Sequence, residues 1–434
     1  MRFGCGRRPG QVGTRGFSPT VAAWRRDSRM TVLLVLATVG HGFIWVALVN
    51  RAHAAGMPRW LCRLLTALLF VSAAGIPLAA AWALYSAGIG QTLVDITTGP
   101  FRPLSVYLGG CSAAGVWAVA QWSWRTLWPG VRRPERYRRS RRSRLVPPSG
   151  SPALHAADAG LLARLPGNEA LWLEEIDRGV ELPRLPGPLE GLSILHLSDL
   201  HWTGRIGKSY FVELVRRCNL RQPDLAAISG DFVDKEACLD WVPDTLAKLK
   251  TRWGAYFVLG NHDRRVDSGR LRRTLEEAGL VDLGGRWVEV EVQGERIVLA
   301  GNEVPWFRPP AELGGAPPSS LRGGPFRIAL AHSPDQLGWA RREEVDLFLV
   351  GHTHGGQVCP PGIGPIFAPC WHGVRYIRGL FLAPPTVMHV TQGISSELPV
   401  RFRCCPEAAV LVLHAAEACV GTLNVGARIS REGR

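Results

Sequence analysis

Acidic side chains are almost missing from the first third of this 434-residue chain. Residues 1–150 contain 20 lysines and arginines but only Asp27, Asp95 and Glu135 as acids, a net charge of +17. The rest of the chain has 31 basic and 33 acidic residues, a net of −2. An overall charge of +15 would normally suggest binding to nucleic acid or an anionic membrane. Because the excess lies in the first third, the remainder has no basic character that suits nucleic acid.

Charged residues are also scarce overall, at 20% against 46% hydrophobic residues, which excludes a disordered chain. The ten cysteines form no C-x-x-C pair and no dense cluster. This excludes a small disulfide-stapled fold and favours a reducing compartment. The length allows two or three domains, or one large domain with additions.

Long apolar runs are concentrated in the same basic third. Residues 31–49 and 64–85 contain no charge, and residues 104–122 form a third run diluted by glycine and polar residues. A bilayer core of roughly 30 Å needs about 20 apolar residues as helix. We therefore predict a membrane region over 30–124 with about three transmembrane helices. The alternative is a buried helical hairpin of a soluble domain.

The arginines flanking these runs conflict with a simple three-span topology. Residues 1–29 contain seven arginines and the stretch after the third run contains nine, yet three spans put these two ends on opposite sides. Because Met30 directly precedes the first run, we expect residues 1–29 to be a basic tail upstream of the natural start. The C-terminal part then faces the cytoplasm. Two spans with a re-entrant third segment would also leave it inside.

The following residues, 125–166, are rich in arginine and then in proline and glycine, which is typical of a linker. An alternative is a juxtamembrane patch held to anionic lipid. We place a folded domain at 167–420 and a C-terminal tail at 421–434.

Short apolar runs in this domain alternate with segments of helical periodicity at 210–219 and 268–278. The runs lie at 193–198, 225–229, 255–259, 297–300, 328–331 and 346–350. This alternation predicts an α/β fold with parallel strands. Ligands of such sheets lie beyond the carboxyl ends of the strands.

Polar residues follow five of the six predicted strands. Asp-x-His and Gly-Asp are common alone, but Gly-Asn-His-Asp and Gly-His-x-His-Gly-Gly are rare, because adjacent polar groups at a buried strand end need partners. Together they predict one site, formed by Asp199, His201, Asp231, Asn261, His262, Asp263, His332, His352 and His354.

In this order, these motifs resemble the signature of the calcineurin-like metallophosphoesterase superfamily. The sequence GHTHGGQV at 351–358 and LPVRF at 398–402 are similar to its bacterial membrane-associated branch. The resemblance covers roughly residues 170–415. It implies a four-layer α-β-β-α sandwich, here preceded by the transmembrane helical region, and a metal-dependent phosphoesterase activity.

The chemistry of phosphate esters explains such a residue set. Two metal ions neutralise the anionic ester and activate a bridging hydroxide, and mixed Asp, Asn and His ligands suit Mn, Fe or Zn. The resemblance implies that Asp231 bridges the two ions. It gives one ion the ligands Asp199, His201 and His354, and the other Asn261, His332 and His352. We expect His352 and His354 to lie on an extended segment, with Thr353 pointing away between them.

His262 is similar to the family histidine that lies beside the scissile phosphate without binding metal. We expect Asp263 to orient it, because an imidazole held by a carboxylate suits general-acid catalysis. The alternative for His262 is a structural contact. Arg264 and Arg265 are interpreted as solvated charges, with contact to phosphate oxygens as the alternative.

The expected substrate is a phosphomonoester or phosphodiester, and the membrane anchor favours a phospholipid-type or lipid-linked one. Asp234 is followed by Lys235-Glu236 rather than by arginine and glycine, which argues against a phosphoprotein. A nuclease is disfavoured by the net charge of −2, so we expect no nucleic acid partner. A catalytically silent membrane scaffold is disfavoured by the intact ligand set.

Overall fold

A computed structural model of the chain describes residues 21–86, 102–127, 134–145 and 161–416. The chain divides into a helical unit, Met1–Trp45 with Phe70–Pro129, and a sheet unit, Val46–Leu69 with Gly130–Arg434. Residues 1–20 of the predicted basic tail and the predicted tail at 421–434 lie outside the described residues.

The three predicted apolar runs form helices α1 (Val21–Ala54), α2 (Arg59–Ser86) and α3 (Arg102–Leu127). Their segments Thr31–Ala54, Arg59–Ala83 and Arg102–Trp124 are long and apolar enough to cross a membrane. Large apolar side chains on them, such as Leu78 at 70% exposure, point outward. Such surfaces suit a hydrocarbon solvent, in which a helix satisfies its own backbone.

Within the helical unit, α1 and α3 approach each other closely at two glycines. A Cβ atom on Gly40 would lie 1.7 Å from the carbonyl oxygen of Cys111, so only glycine fits there. Small residues at such crossings allow dense packing between helices in a membrane. Nearby, His41 Nδ1 lies 2.7 Å from Tyr107 Oη and its Nε2 lies 2.9 Å from the Ala73 carbonyl oxygen.

The sheet unit contains a seven-stranded sheet in the order β1-β2-β13-β3-β4-β5-β6. Strands β3 to β6 are parallel, whereas β13 is antiparallel to β3 and β1 is antiparallel to β2. The strands are β1 (Glu135–Arg144), β2 (Trp172–Leu182), β3 (Ser193–Leu197), β4 (Leu225–Ser229), β5 (Ala255–Val258), β6 (Leu280–Asp282) and β13 (Glu407–Ala415).

A second sheet of six strands has the order β11-β12-β10-β9-β8-β7, with β8, β9, β10 and β12 parallel. Its strands are β7 (Trp287–Val292), β8 (Glu295–Asn302), β9 (Phe326–Ala331), β10 (Leu347–Val350), β11 (Gly379–Ala383) and β12 (Thr386–Val390). Helices α4 (Lys208–Leu220), α5 (Ser268–Glu277) and α6 (Leu337–Arg342) complete the unit.

Alternating side chains give each sheet two buried faces. Ile194 of β3 and Leu347 of β10 share the core between the sheets, whereas Leu195 packs with α4 and α5 on the outer face of the first sheet. Phe348 packs with α6 on the outer face of the second. Successive strand residues point to opposite faces, so both sheets can be covered twice. The predicted four-layer α-β-β-α sandwich is confirmed, as are the six predicted strands and the two predicted helices.

The arginine-rich segment differs from its interpretation as a linker, because residues 135–144 form the edge strand β1. Arg138 and Arg142 lie on one face of it, and both form ion pairs with the buried Glu174 of β2, at 2.8 and 3.3 Å. These contacts explain why so basic a segment joins a sheet. Exposed arginines on its other positions also discourage pairing with a further strand.

Candidate metal centre

The carboxyl ends of five strands from both sheets converge on one cluster of side chains. Residues after β3, β4 and β5 meet residues after β9 and β10, so the two sheets contribute to the same site. Except for Asn261, His262 and His354, which are half-buried, these side chains are fully buried. The cluster contains every predicted site residue: Asp199, His201, Asp231, Asn261, His262, Asp263, His332, His352 and His354.

The backbone of this cluster is strained at five of those positions. Left-handed φ angles between 44° and 69° occur at Asp199, His201, Asp231, His352 and His354. Residues other than glycine rarely adopt this conformation, which costs of order 1–3 kcal/mol and is concentrated at functional sites. The surrounding fold therefore holds these side chains in place against their local preference.

Two glycines allow the loops after β4 and β5 to touch. A Cβ atom on Gly260 would lie 2.3 Å from Asp231 Oδ1, and one on Gly230 would lie 2.7 Å from His332 Nδ1. A side chain at either position would push the carboxylate or the imidazole out of place. This explains the glycine that precedes the polar residues in both motifs.

The segment around His352 and His354 is not extended, contrary to prediction. Thr353 has helical angles, φ −79° and ψ −15°, between two histidines of positive φ. Its hydroxyl donates to the carbonyl oxygen of Ile377 at 2.7 Å and so points away from the cluster. The spacing of two still works, because the alternating backbone conformations turn both imidazoles to the same side.

In each of four histidines, one ring nitrogen is hydrogen-bonded to a carboxylate or carbonyl oxygen, which can only accept a hydrogen bond. Nδ1 of His201 donates to Asp234 Oδ2 at 2.8 Å, and Nδ1 of His332 donates to the Ser229 carbonyl at 2.7 Å. His354 and His352 donate likewise, to the carbonyl oxygens of Ser395 and Pro369. These bonds fix the orientation of each ring. The second nitrogen of each ring faces the cluster, where it can hold a proton or a metal ion.

The inward-facing atoms form two adjacent groups. In the first, His354 Nε2 lies 3.3 Å from His201 Nε2 and 3.5 Å from Asp199 Oδ1. In the second, His332 Nε2 lies 3.0 Å from His352 Nδ1 and 3.2 Å from Asp231 Oδ2. Asn261 Oδ1 also lies 3.0 Å from His332 Nε2, and Asp231 Oδ2 is 3.4 Å from His201 Nε2. Asp231 therefore stands between the two groups.

These separations fit divalent metal ions. Two ligand atoms bound at about 2.0–2.2 Å to one ion are roughly 2.9–3.5 Å apart at tetrahedral to octahedral angles. In addition, Asp199 Oδ1 and Asp231 Oδ2 are buried and have no hydrogen-bond partner among the described residues. A buried carboxylate oxygen without a partner is costly, and a cation removes that cost.

The electrostatics of the histidines agree with this interpretation. Burial lowers the pKa of His352 and of His354 to about 3, so both rings are neutral and able to act as ligands. Burial would also lower the pKa of His332, but Asp231 outweighs it and raises the pKa to about 9. A proton on His332 thus supplies the positive charge beside Asp231, and a metal ion that binds there has to displace this proton.

Asp234 was not among the predicted site residues, yet it contacts two of them. Its Oδ2 accepts from His201, and its Oδ1 lies 2.6 Å from Nδ1 of His262. Burial would raise the pKa of Asp234, but the hydrogen bonds from both histidines lower it below its usual range. The only sequence signal was its position three residues after Asp231.

Arg265 also differs from its interpretation as a solvated charge. It forms ion pairs with Asp234 and, at 2.9 Å, with Glu397, and only 15% of its side chain is exposed.

Asp263 does not orient His262, contrary to prediction. Its carboxylate is fully buried and accepts four backbone N–H groups, from Gly260, Asp231, Phe232 and Val233, at 2.8–3.0 Å. The turn after His262 directs Asp263 into the protein, away from the imidazole. Asp263 therefore joins the loop after β5 to the loop after β4, and Asp234 is the carboxylate that holds His262.

Comparisons with known proteins agree with this geometry. A sequence model of calcineurin-like phosphoesterases matches residues 192–356, which include every residue of the cluster. Phosphodiesterase YaeI of Escherichia coli (strain K12) is 32% identical over 225 residues, which cover 51% of this chain and 81% of that protein.

Two further relatives are similar over a little more than half of this chain. The uncharacterized metallophosphoesterase YkuE of Bacillus subtilis (strain 168) is 28% identical over 56% of this chain and 87% of its own length. A Danio rerio protein described as a transmembrane protein with metallophosphoesterase domain is 30% identical over 55% of this chain and 56% of its own. Together with the three apolar helices, this last relative supports membrane association. The chain is a metal-dependent phosphoesterase and belongs to the calcineurin-like phosphoesterase family.

Proposed function

We propose that this chain is a membrane-anchored phosphoesterase whose catalytic domain, 167–420 together with the edge strand β1, holds two divalent metal ions. Asp199, His201 and His354 would hold one ion. Asn261, His332 and His352 would hold the other, and the carboxylate of Asp231 stands between the two groups. The observation that carries the proposal is the convergence of two ligand groups on Asp231 Oδ2, a buried carboxylate oxygen without a hydrogen-bond partner among the described residues.

The proposed reaction is the hydrolysis of a phosphodiester, with phosphomonoesters as weaker substrates. The name of the Escherichia coli relative supports the choice of a diester. Divalent ions bound there supply charge neutralisation and water activation. The residues of the chain position the ester and supply a proton. Asp234 fixes Nδ1 of His262, so Nε2 of this ring is the nitrogen left to donate a proton to the departing oxygen.

We also propose that the catalytic domain lies on the cytoplasmic side, with three spans and an outside N-terminus. The end of α1, next to its turn to α2, supports this topology, because it packs within the sheet unit: Asn50 Oδ1 accepts the N–H of Ala368 at 3.2 Å. Three spans place that turn and the catalytic domain on the same side of the membrane. Two spans with a re-entrant segment would separate them. Arg51, Arg59 and Arg63 near the turn favour the cytoplasm.

Metal content and hydrolysis measured together test the catalytic proposal. The full chain, purified in detergent and stripped by a chelator, is reloaded with Mn, Fe or Zn and assayed on an aryl phosphodiester and an aryl phosphomonoester. We expect up to two ions per chain and a preference for the diester. Asp231→Ala should lose bound metal and activity together, whereas Asp240→Ala, a carboxylate 80% exposed, should change neither.

Two outcomes would contradict the proposal. Metal binding without hydrolysis would indicate a silent scaffold, and hydrolysis of single-stranded DNA in preference to the aryl diester would indicate a nuclease. Topology is tested separately, with a reporter enzyme fused after residue 150. Reporter activity only outside the membrane would overturn the cytoplasmic orientation without affecting the catalytic proposal.

A further inference from the structure

The α1–α2 turn, taken here as residues 50–59 with the end of α1 and the start of α2, packs against two loops of the sheet unit. On one loop, the Phe367 ring lies 5.8 Å from the His53 ring, next to the hydrogen bond between Asn50 and Ala368. On the other, a Cβ atom on Gly56 would lie 2.5 Å from Cγ of Pro305, so the turn fits there only with glycine. These contacts fix the turn against the catalytic domain.

In each of these two loops, the residue that follows the one in contact with the turn contacts His352 of the metal centre. The carbonyl of Pro369, which follows Ala368, accepts the hydrogen bond from Nε2 of His352 at 2.7 Å. The ring of Trp306, which follows Pro305, lies 5.0 Å from the His352 ring. The turn between the two helices therefore contacts the direct sequence neighbours of two residues that contact His352.

The turn also carries a positive charge. It ends in Arg59, the first residue of α2, whose side chain is exposed.

The turn also lies between two membrane-length segments. The first segment ends at Ala54 and the second begins at Arg59, so only residues 55–58 lie between them. A turn between two adjacent spans is expected at the membrane surface, because neither helix is long enough to carry it far from the hydrocarbon core. The contacts of this turn therefore join the surroundings of His352 to the ends of both segments.

The loop between β10 and β11 exposes apolar side chains at the same place. Within residues 363–371, the apolar rim, the exposed fractions are 60% for Ile363, 43% for Ile366, 39% for Phe367 and 52% for Trp371. Residues 358–378 contain no acidic side chain. Grouped exposed apolar residues mark an interaction surface, and tryptophan favours the membrane–water interface.

We propose that the α1–α2 turn and the apolar rim form a membrane-facing entrance, and that the substrate is an anionic phospholipid. Its phosphodiester reaches the centre from the bilayer surface, the rim lies among the lipid head groups, and Arg59 attracts the negative charge. Water is added across one P–O bond, so no further reactant is needed. This inference rests on the proposed phosphodiesterase activity and names its substrate class.

The rim is tested with the full chain in phosphatidylglycerol vesicles and, in parallel, in detergent with a soluble aryl diester. Ile363→Ser combined with Trp371→Ser should lower phosphatidylglycerol hydrolysis about tenfold or more, because two apolar side chains no longer enter the interface. Aryl diester hydrolysis should stay within about twofold, since neither side chain is a proposed metal ligand or proton donor. The control Leu220→Ser, 68% exposed on α4, should change neither rate.

The charge is tested with Arg59→Ala, which should lower the preference for phosphatidylglycerol over phosphatidylcholine about fivefold, as expected for one cation at an anionic surface. The control Arg296→Ala, 67% exposed on β8, should leave it unchanged. A photoactivatable phosphatidylglycerol should label the peptide containing residues 358–378.

The outcomes separate the two proposals. If the wild-type chain hydrolyses neither substrate, the phosphodiesterase proposal fails. If it hydrolyses the aryl diester but not phosphatidylglycerol, or if the rim variant loses both activities equally, the lipid inference alone is overturned.

Discussion

Asp234 holds His262 through a hydrogen bond of 2.6 Å between its Oδ1 and Nδ1 of the imidazole. The other oxygen of the same carboxylate accepts from Nδ1 of His201, and the two rings stand at 85° with centroids 4.5 Å apart. One carboxylate therefore fixes the orientation of a proposed metal ligand and of the proposed general acid. We therefore expect metal binding and proton transfer to be coupled through this residue.

Asp234→Asn should weaken both functions while the fold is kept. An amide has one accepting oxygen, so one of the two histidines loses its acceptor and faces an N–H group instead. We expect metal affinity to fall about 10- to 100-fold, as for other partners of metal-binding histidines. Turnover at saturating metal should fall as well. Metal titration and kcat measure the two effects, with Asp240→Asn as the exposed control; unchanged metal affinity would contradict the coupling.

His262→Ala should separate catalysis from metal binding. The chain should keep its full metal content and lose turnover by about 10²- to 10⁴-fold, because only the proton donor is removed. His414 is a matched control, since 16% of its side chain is exposed against 17% for His262, and it lies on β13 beside Glu190. Elemental analysis gives the metal content. Loss of metal in His262→Ala would mean that the imidazole is a ligand.

The strand ends and the ligand groups could be predicted from the sequence because their signal is local. Buried runs such as 225–229 stop at Gly230-Asp231, and a polar residue at that position needs a partner. Five such endings gave the site residues, and parallel strands brought the endings to one edge. The helices of the membrane region were predictable for the same reason, since length and apolarity are properties of one segment.

Contacts between distant segments could not be predicted in this way. The arginines of β1 were interpreted as solvated because their partner, Glu174, lies on another strand. The role of Asp263 was misassigned because its neighbour in sequence, His262, is not its neighbour in space. The roles of Asp234 and Arg265 depend on ion pairs with residues that are distant in the sequence, and the spacing of residues does not reveal such pairs.

Asp263→Asn should destabilise the domain. The buried carboxylate accepts four backbone N–H groups from two loops, and an amide would turn its own N–H₂ toward some of them. Leaving two buried donors unpaired costs about 2–5 kcal/mol in the free energy of unfolding. We expect a lower midpoint in thermal unfolding of the full chain in detergent. An unchanged midpoint, with Asp267→Asn as the exposed control, would contradict this structural role.

Glu407 and His389 link the two sheets and should make stability depend on pH. Glu407 begins β13, and its Oε1 lies 3.6 Å from Nε2 of His389 on β12. Burial would raise the pKa of Glu407, but His389 and Arg178 outweigh it and lower the pKa to about 2. Burial also lowers the pKa of His389, although Glu407 opposes this shift.

Both pKa values are lowered in the folded state, so both groups make the folded state less stable relative to the unfolded one as the pH falls. The folded pKa of Glu407 lies below its ordinary value of 4.5, so its contribution is fully present above pH 4.5 and is lost as the pH falls toward 2. That contribution is on the order of 3 kcal/mol. Glu407→Gln should therefore unfold more easily at pH 7 and lose less stability between pH 5 and about pH 3 than the wild type. Glu276→Gln, an exposed carboxylate paired with Arg286, serves as the control. If wild type and Glu407→Gln lost the same stability between pH 5 and about pH 3, this pair would not set the stability in acid.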